Sequence, residues 1–193
     1  MVTKESGRAE KPKRDGFDRV IEDWERERPD LDTTPIGTIG RLRLAGQLVS
    51  AFYERSVKPF DLRPADFFLL SELRRAGPPY TLSPGELSLE LVRSSGGITR
   101  MLDQLEQRGW IRREPDPNDR RGVRVCLTDE GRELIDEAMV DHFENEAELF
   151  EDLSPANKQH LADLLREVVS ILQTKRESAR GLRRRKGSTR PGS

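Results

Sequence analysis

A set of hydrogen-bonding groups lies at helical spacing between residues 94 and 108. Ile98, Leu102 and Leu105 recur three and four residues apart, so they share one helix face and must pack inward. The opposite face carries hydroxyl, guanidinium and amide groups, which contact base edges and phosphates in DNA complexes. Its members are Ser94, Ser95, Gly97, Thr99, Arg100 and Gln104. The glycine permits close approach of a DNA backbone, and the helix N-terminal amides beside the serines are suited to a phosphate.

A second set of cations follows in residues 115–122, a segment rich in turn-forming residues between two alternating segments that predict strands. Arg120 and Arg121 are expected at the tip of this hairpin. A thin loop ending in guanidinium groups can enter the minor groove, where the negative potential is strongest. Asp119 is then expected to hold an arginine in position by a bidentate pair. Taken alone, the segment is equally well a solvated surface turn.

Residues that carry out catalysis or bind metals are sparse. Cys126 is the only cysteine, which excludes an internal disulfide and a multi-cysteine zinc site. His142 and His160 lack a third ligand at metal-binding spacing, and we interpret them as solvated helix residues. With neither a glycine-rich phosphate loop nor a nucleophile–histidine pair, we expect no enzyme, cofactor or metal. Cys126 leaves two interpretations, a structural strand residue or an oxidation sensor near Arg124.

Charges are segregated along the chain, although their sum is only −1. Residues 92–124 contain eight arginines and five acidic residues. Residues 129–173 contain thirteen acidic residues and three lysines or arginines. From residue 174 onward there are eight basic residues and one acidic residue. The charge of the first block favours binding to nucleic acid. The last block either makes additional contacts to DNA phosphates or is a tail without a role.

Length and hydropathy place this chain of 193 residues among proteins with one domain and tails. No run approaches 18 apolar residues, and the N-terminus has no apolar stretch typical of a secretory signal. The sequence therefore predicts a cytoplasmic protein without a membrane role.

Periodicity and capping signals divide the chain into five segments. They are residues 1–16, a disordered tail; 17–60, N-terminal helices; 61–128, a DNA-binding region; 129–174, C-terminal helices; and 175–193, a basic disordered tail. The DNA-binding region contains a helix, a short helix opened by a Ser83–Glu86 capping box, a third helix and two strands at 110–114 and 123–127. The predicted fold class is mainly α with a small β-hairpin wing, a winged helix-turn-helix.

Residues 82–134 resemble the winged-helix core of the multiple antibiotic resistance regulator (MarR) family. The matching segments are Ser95–Gly97 and Leu105–Gly109 at the two ends of the third helix, Asp119–Arg121 in the hairpin and Leu127–Gly131 after it. The resemblance extends, with less specific matches, over residues 35–173.

This resemblance implies homodimers that place two DNA-reading units on a pseudo-palindromic site, with the helices of residues 17–60 and 129–174 as the dimerisation helices. It also implies repression of nearby genes, relieved by a small anionic or phenolic ligand. By the same resemblance Arg121 contacts the minor groove, Asp119 supports it, and Ser95, Thr99 and Arg100 contact the major groove.

Residues 24–32 resemble the extra first helix of a branch of the family that answers to urate and related anions. The resemblance implies a ligand site made by a tryptophan, an aspartate and an arginine. Trp24 matches the tryptophan, but Phe68 holds the aspartate position and Met101 the arginine position. An apolar or aromatic ligand therefore fits better than urate. Arg75 is a candidate cation for an anionic ligand. Trp24 has a simpler interpretation as a packing residue, and Arg75 as the ion-pair partner of an acidic residue on a neighbouring helix.

Together these observations predict a sequence-specific DNA-binding transcriptional regulator, a homodimeric repressor released by a small aromatic or anionic ligand. The expected partners are double-stranded DNA, a second copy of the chain and the effector. One alternative is a winged-helix protein-interaction module without specific DNA binding. Another is a regulator that is ligand-independent or responds to oxidation of Cys126. Arg100, Arg120 and Arg121 favour DNA, because a protein-binding module has no need of cationic groove probes.

Overall fold

The computed structural model describes residues 13–90, 95–117 and 119–187. Its elements confirm the mainly helical class with a small antiparallel sheet. In chain order they are α1 (Gly16–Glu27), α2 (Thr34–Val57), a 3₁₀ turn (Lys58–Phe60), α3 (Pro64–Arg75), β1 (Thr81–Leu82), α4 (Pro84–Glu90), α5 (Ser95–Gln107), β2 (Ile111–Asp116), β3 (Asp119–Leu127), α6 (Asp129–Leu149) and α7 (Pro155–Gly187). The chain divides into two compact units, and the division falls inside α6, between Ala138 and Met139.

Ion pairs and one aromatic ring attach α1 to α2. The Asp15 carboxylate caps α1 by accepting hydrogen bonds from the amides of Phe17, at 2.8 Å, and Asp18, at 3.3 Å. The Arg41 guanidinium of α2 donates to the carboxylates of Asp15 and Asp18 at 2.7–2.8 Å. These bonds lower the pKa of Asp15 below its ordinary value. The Phe17 ring lies against Gly40, where an added Cβ would come within 2.6 Å of a ring carbon.

The core of the first unit is built from the inward faces of helices α2 to α6 and of the strands β2 and β3. Leu69, Leu70 and Leu73 of α3 are completely buried. Burial of such side chains contributes about 1.5–3 kcal/mol each. The other fully buried residues of this core are Val57, Phe67, Leu87, Ile98, Leu105, Ile111, Val125 and Ile135.

The sheet has three antiparallel strands in the order β1-β3-β2. β2 and β3 form the wing hairpin, with Ile111 opposite Leu127 and Asp116 opposite Asp119. Both strands extend into residues 115–122, which the sequence assigned to a loop, because ladder pairing overrides the local turn propensity of prolines and aspartates. β1 was not predicted, since a two-residue strand offers no alternation to detect.

The base of the hairpin is fixed to the start of α6. The side-chain oxygen of Thr128 donates to the carbonyl of Gly109 at 2.7 Å and accepts from the amide of Gly131 at 3.0 Å. The Thr128 amide donates to the carbonyl of Trp110 at 3.1 Å. A Cβ at Gly131 would lie 2.8 Å from the carbonyl carbon of Trp110 and closer still to its oxygen, so only glycine fits.

The second unit contains the rest of α6 and α7, and many of its large apolar side chains are exposed. They are Val140, Phe143, Leu149, Phe150, Leu161, Leu164, Leu165, Val169, Ile171 and Leu172. α7 continues to Gly187, so the prediction of a disordered tail is wrong for residues 175–187. Arginine, lysine, alanine and leucine have high helix propensities, which carry the helix past the end of the apolar pattern. Residues 1–12 and 188–193 lie outside the described residues.

Within the part of the chain that the structure describes, no helix combines the length and the apolar character needed to cross a membrane.

Candidate nucleic-acid interface

α4 and α5 form the second and third helices of the predicted helix-turn-helix. The predicted capping box at the start of α4 is present: the side-chain oxygen of Ser83 accepts from the Glu86 amide at 3.2 Å, and the Ser83 amide donates to the Glu86 carboxylate at 2.7 Å. These hydrogen bonds, with a smaller effect of Arg124, lower the pKa of Glu86 below its ordinary value. Arg124 of β3 lies 3.6 Å from the same carboxylate, which links α4 to the sheet.

α5 has the two faces that its sequence predicts. Ile98, Leu102 and Leu105 are buried. Gly97, Thr99 and Arg100 are exposed on the other side. For Ser95 only the backbone is described, at the first position of α5, and Ser94 lies outside the described residues. The exposed face is therefore a ridge of small and hydrogen-bonding residues with one guanidinium, a shape and chemistry suited to a major groove.

Gln104 differs from the other members of that face, because it is half-buried and bound to another part of the chain. Its amide oxygen accepts a hydrogen bond at 2.8 Å from Arg63, which precedes α3. Arg63 also donates twice, at 2.6 Å, to the buried carboxylate of Asp66. The bonds to Asp66 raise the pKa of Arg63. Arg63 is thus a permanent cation beside α5, and sequence reasoning missed it because its partner lies 41 residues away.

Arg63 and Gln104 line an open cleft of about 360 Å³ with Gly97, Arg100 and Met101. Two arginines and one buried methionine side chain therefore meet beside the exposed face of α5. An aromatic anion would find a charge partner and an apolar contact there.

The wing carries Asp119, Arg120 and Arg121 at the start of β3, next to the turn, rather than in the loop. Only the backbone of the two arginines is described, and the side chain of Asp119 is exposed. Gly122 keeps this part of the wing narrow, because a Cβ there would meet the Cβ atoms of Asp116 and Asp119 at 2.9 and 3.0 Å. The support of an arginine by Asp119 stays a prediction.

The wing is joined to α5 by side chains that the sequence did not single out. Arg113 of β2 donates to Asp103 of α5 at 2.6 Å, and its amide donates to the Glu106 carboxylate at 2.9 Å. Arg108, just after α5, stacks on the ring of Trp110 with 3.7 Å between its guanidinium carbon and the ring centre. These contacts fix the position of the wing relative to α5.

The four residues considered for a ligand lie in different places. Trp24 is half exposed in a cleft with Val20, Asp23 and Glu27 on α1 alone. Met101 is buried beside the cleft at Arg63. The Phe68 ring lies 5.1 Å from that of Tyr53.

Arg75 forms an ion pair with Glu72 of its own helix, whereas its alternative interpretation expected an acidic partner on a neighbouring helix. The clefts of Trp24 and Met101 have no residue in common.

Other reactive groups fit structural roles. Cys126 is buried in β3, with its sulfur 3.5 Å from a carboxylate oxygen of Glu114. His142 is buried and lies 3.2 Å from Glu146, so the interpretation of a solvated residue is wrong for it; His160 is exposed. The sequence indicates a solvated position for His142 because acidic residues surround it along α6, and this pattern does not reveal that its side chain is buried. No group of three metal-binding side chains is found among the described residues.

A helix-turn-helix followed by an antiparallel hairpin with arginines defines the winged helix-turn-helix class of DNA-binding proteins. A sequence profile of the MarR family matches residues 62–123. Over 157 residues the chain is 38% identical to the HTH-type transcriptional regulator PecS of Dickeya dadantii (strain 3937), covering 81% of this chain and 95% of PecS. It is 37% identical over 100 residues to the multiple antibiotic resistance protein MarR of Salmonella typhimurium, covering 51% of this chain and 67% of that protein. The chain therefore belongs to the MarR family of transcriptional regulators.

Solved structures agree with this assignment. A mutant MarR from E. coli complexed with operator DNA has a TM-score of 0.62 at 30% identity, covering 75% of this chain and 96% of that one. A MarR family regulator from Streptomyces coelicolor in complex with DNA has a TM-score of 0.67 at 26% identity, covering 74% and 91%. The chain is a DNA-binding transcriptional regulator and not an enzyme, as its sequence predicts.

Proposed function

We propose that the chain is a homodimeric repressor that binds a pseudo-palindromic operator and is released by a small aromatic or anionic ligand. The observation that carries the DNA-reading part is the division of α5 into a buried face and an exposed face with Thr99 and Arg100. In this proposal α5 contacts base edges and phosphates in the major groove, and Arg121, supported by Asp119, reaches the minor groove. Such a regulator acts on the bacterial chromosome in the cytoplasm.

The DNA-reading proposal is tested by selection of binding sites from a random duplex library with the full chain. We expect an enriched pseudo-palindrome whose half-sites are about ten base pairs apart, centre to centre. A library without any enriched sequence would refute sequence-specific binding. Binding of an unselected duplex provides the matched measurement of non-specific affinity.

Homodimerisation is supported by the exposed apolar side chains within each unit. Ile39, Leu44 and Leu48 of α2 are exposed in the first unit. In the second unit Phe143, Phe150 and several leucines of α7 are exposed around an apolar cleft. Patches of this kind are rare on monomers and typical of subunit interfaces. Sedimentation equilibrium should give twice the mass of the chain, and a monomer at micromolar concentration contradicts the proposal.

Two features support a small aromatic or anionic ligand other than urate. The cleft beside α5 combines Arg63 and Arg100 with the buried Met101, and it adjoins the face proposed to read DNA. The positions expected to hold urate in the related branch carry Phe68 and Met101, and neither side chain has the charge needed for an ion pair with urate. Thermal-shift and operator-release measurements with urate, salicylate and hydrophobic phenols should favour the last two. Release of the operator by urate alone would contradict this choice of ligand.

A further inference from the structure

The last turns of α7 form a second cationic surface, far in sequence from α5 and the wing. Residues 175–187 contain seven lysines or arginines and one acidic residue, and their backbone is helical throughout. At 1.5 Å per residue this segment is about 20 Å long. The regular apolar stripe of α7 ends at Leu172, so the segment has no apolar face whose burial would explain it.

The arginines of this segment are concentrated on one side of the helix. At about 100° per residue, positions 176, 180, 183 and 184 fall within an arc of about 100°. The remaining basic positions, 175, 185 and 186, fall outside that arc. The arc spans about 12 Å along the helix axis, and a DNA strand carries one phosphate per about 3.4 Å of its own axis. Several phosphates therefore lie within reach of a single face of this helix.

We propose that this C-terminal arginine face, made by Arg176, Arg180, Arg183 and Arg184, binds the phosphate backbone of duplex DNA independently of sequence. Duplex DNA is the polyanion that a DNA-binding regulator necessarily meets, and guanidinium groups bind phosphate in a bidentate manner. Arg176 is exposed and forms no ion pair among the described residues, so no described side chain neutralises it. At 180, 183 and 184 only the backbone is described. Binding of DNA by this face depends on neither the effector nor the operator sequence.

The test compares two triple variants of the full chain with equal loss of charge. The face variant carries Arg176→Gln, Arg180→Gln and Arg183→Gln. The control carries Lys175→Gln, Arg185→Gln and Lys186→Gln, at the basic positions outside the arc. The probe is a short duplex without an operator sequence, titrated at salt concentrations from about 50 to about 200 mM.

Each lost phosphate contact reduces the slope of log K against log salt by about 0.9, so the face variant should lose about 2.7. The control should lose less than about 1. Equal slopes for the unchanged chain and the face variant would overturn the proposal. Equal losses in the two triple variants would also overturn it, since net charge and not a face would then be responsible.

Two further measurements identify other occupants of the face. An unchanged slope with a lower urea midpoint of the face variant would mean that the arginines pair with acidic side chains of the protein. An unchanged slope with lost binding to vesicles of phosphatidylcholine and phosphatidylglycerol would assign the face to a membrane. Either result overturns DNA binding by the face. A chain that selects no operator would refute the proposed function but leave this test valid, because the probe is non-specific duplex.

Discussion

Replacing Gly131 with alanine tests whether the wing is joined to α6 as the structure describes. Gly131 lies in the first turn of α6, against the backbone carbonyl of Trp110 at the start of the hairpin. Alanine is the better helix former, so local propensity alone favours the substitution by about 1 kcal/mol. The tertiary contact predicts the opposite sign, which makes the result decisive.

The magnitude follows from the distances. The new methyl group would lie 2.8 Å from the carbonyl carbon of Trp110, whereas carbon atoms in contact prefer about 3.5 Å or more. The carbonyl carbon must therefore retreat by at least about 0.7 Å, and its oxygen, which lies closer still to the new methyl group, must move further. This movement stretches its 3.1 Å hydrogen bond from the amide of Thr128. Overpacking costs about 1–3 kcal/mol, and a contact this short lies at the upper end of that range. The weakened hydrogen bond costs about 1 kcal/mol more, which the helix propensity of alanine offsets by about the same amount. We expect a loss of about 3 kcal/mol in the free energy of unfolding.

Urea denaturation measures this loss, and Gly16→Ala provides the control. Gly16 lies in the first turn of α1, where an added Cβ meets nothing within 4 Å. The control should change the unfolding free energy by less than about 1 kcal/mol. With a urea dependence of about 2 kcal/mol per molar, Gly131→Ala should lower the midpoint by about 1.5 M. Operator affinity should also fall at temperatures where the variant is folded, because the base of the wing has moved.

Equal urea midpoints for the two alanine variants would refute the reasoning. They would mean that the carbonyl of Trp110 does not touch Gly131, and that the wing is held only by the hydrogen bonds between its strands.

Three further predictions concern the DNA-reading surface. Arg121→Ala should weaken operator binding by about 1–3 kcal/mol without changing the mass of the dimer. Arg112→Ala is the control, because Arg112 pairs with Cys126 in the ladder, away from the tip of the wing, and it should have a smaller effect in the same titration. Arg113→Met should lower operator affinity about tenfold by freeing the wing from α5, and adding Asp103→Asn should cost little more; additive losses would contradict a shared contact. Glu86→Gln should lower the urea midpoint at neutral pH. Because the pKa of Glu86 is lowered in the folded chain, this difference should be complete above pH 4.5 and disappear as the pH falls below it, and a pH-independent difference would contradict the capping role.

The two-faced character of α5 was predictable because helical periodicity is a local property of the sequence. Ile98 and Leu105 identify the buried face wherever the rest of the chain lies. The capping box at Ser83 is equally local, since both partners lie within one turn. These signals were sufficient for the class of fold and for the exposed face with Thr99 and Arg100.

The contacts that connect elements were not predictable in the same way. The hydrogen bond of Arg63 to Gln104 joins residues 41 positions apart, and no spacing in the sequence indicates it. The wing strands are longer than their alternation predicts, because pairing across the ladder supplies hydrogen bonds that a turn cannot. α7 extends beyond its apolar stripe for a different reason. The residues after the stripe have high helix propensity, which does not depend on a buried face.

The position of the Phe17 ring against Gly40 has a consequence for how the first helix is inherited. Any side chain at position 40 would occupy the space of the ring, so α1 with its Phe17 ring in this place requires glycine at 40. Descendants that lose α1 are free to replace the glycine, and those that keep the helix are not. Transplanting α1 onto a homologue should succeed only when the glycine and Arg41 are transplanted with it.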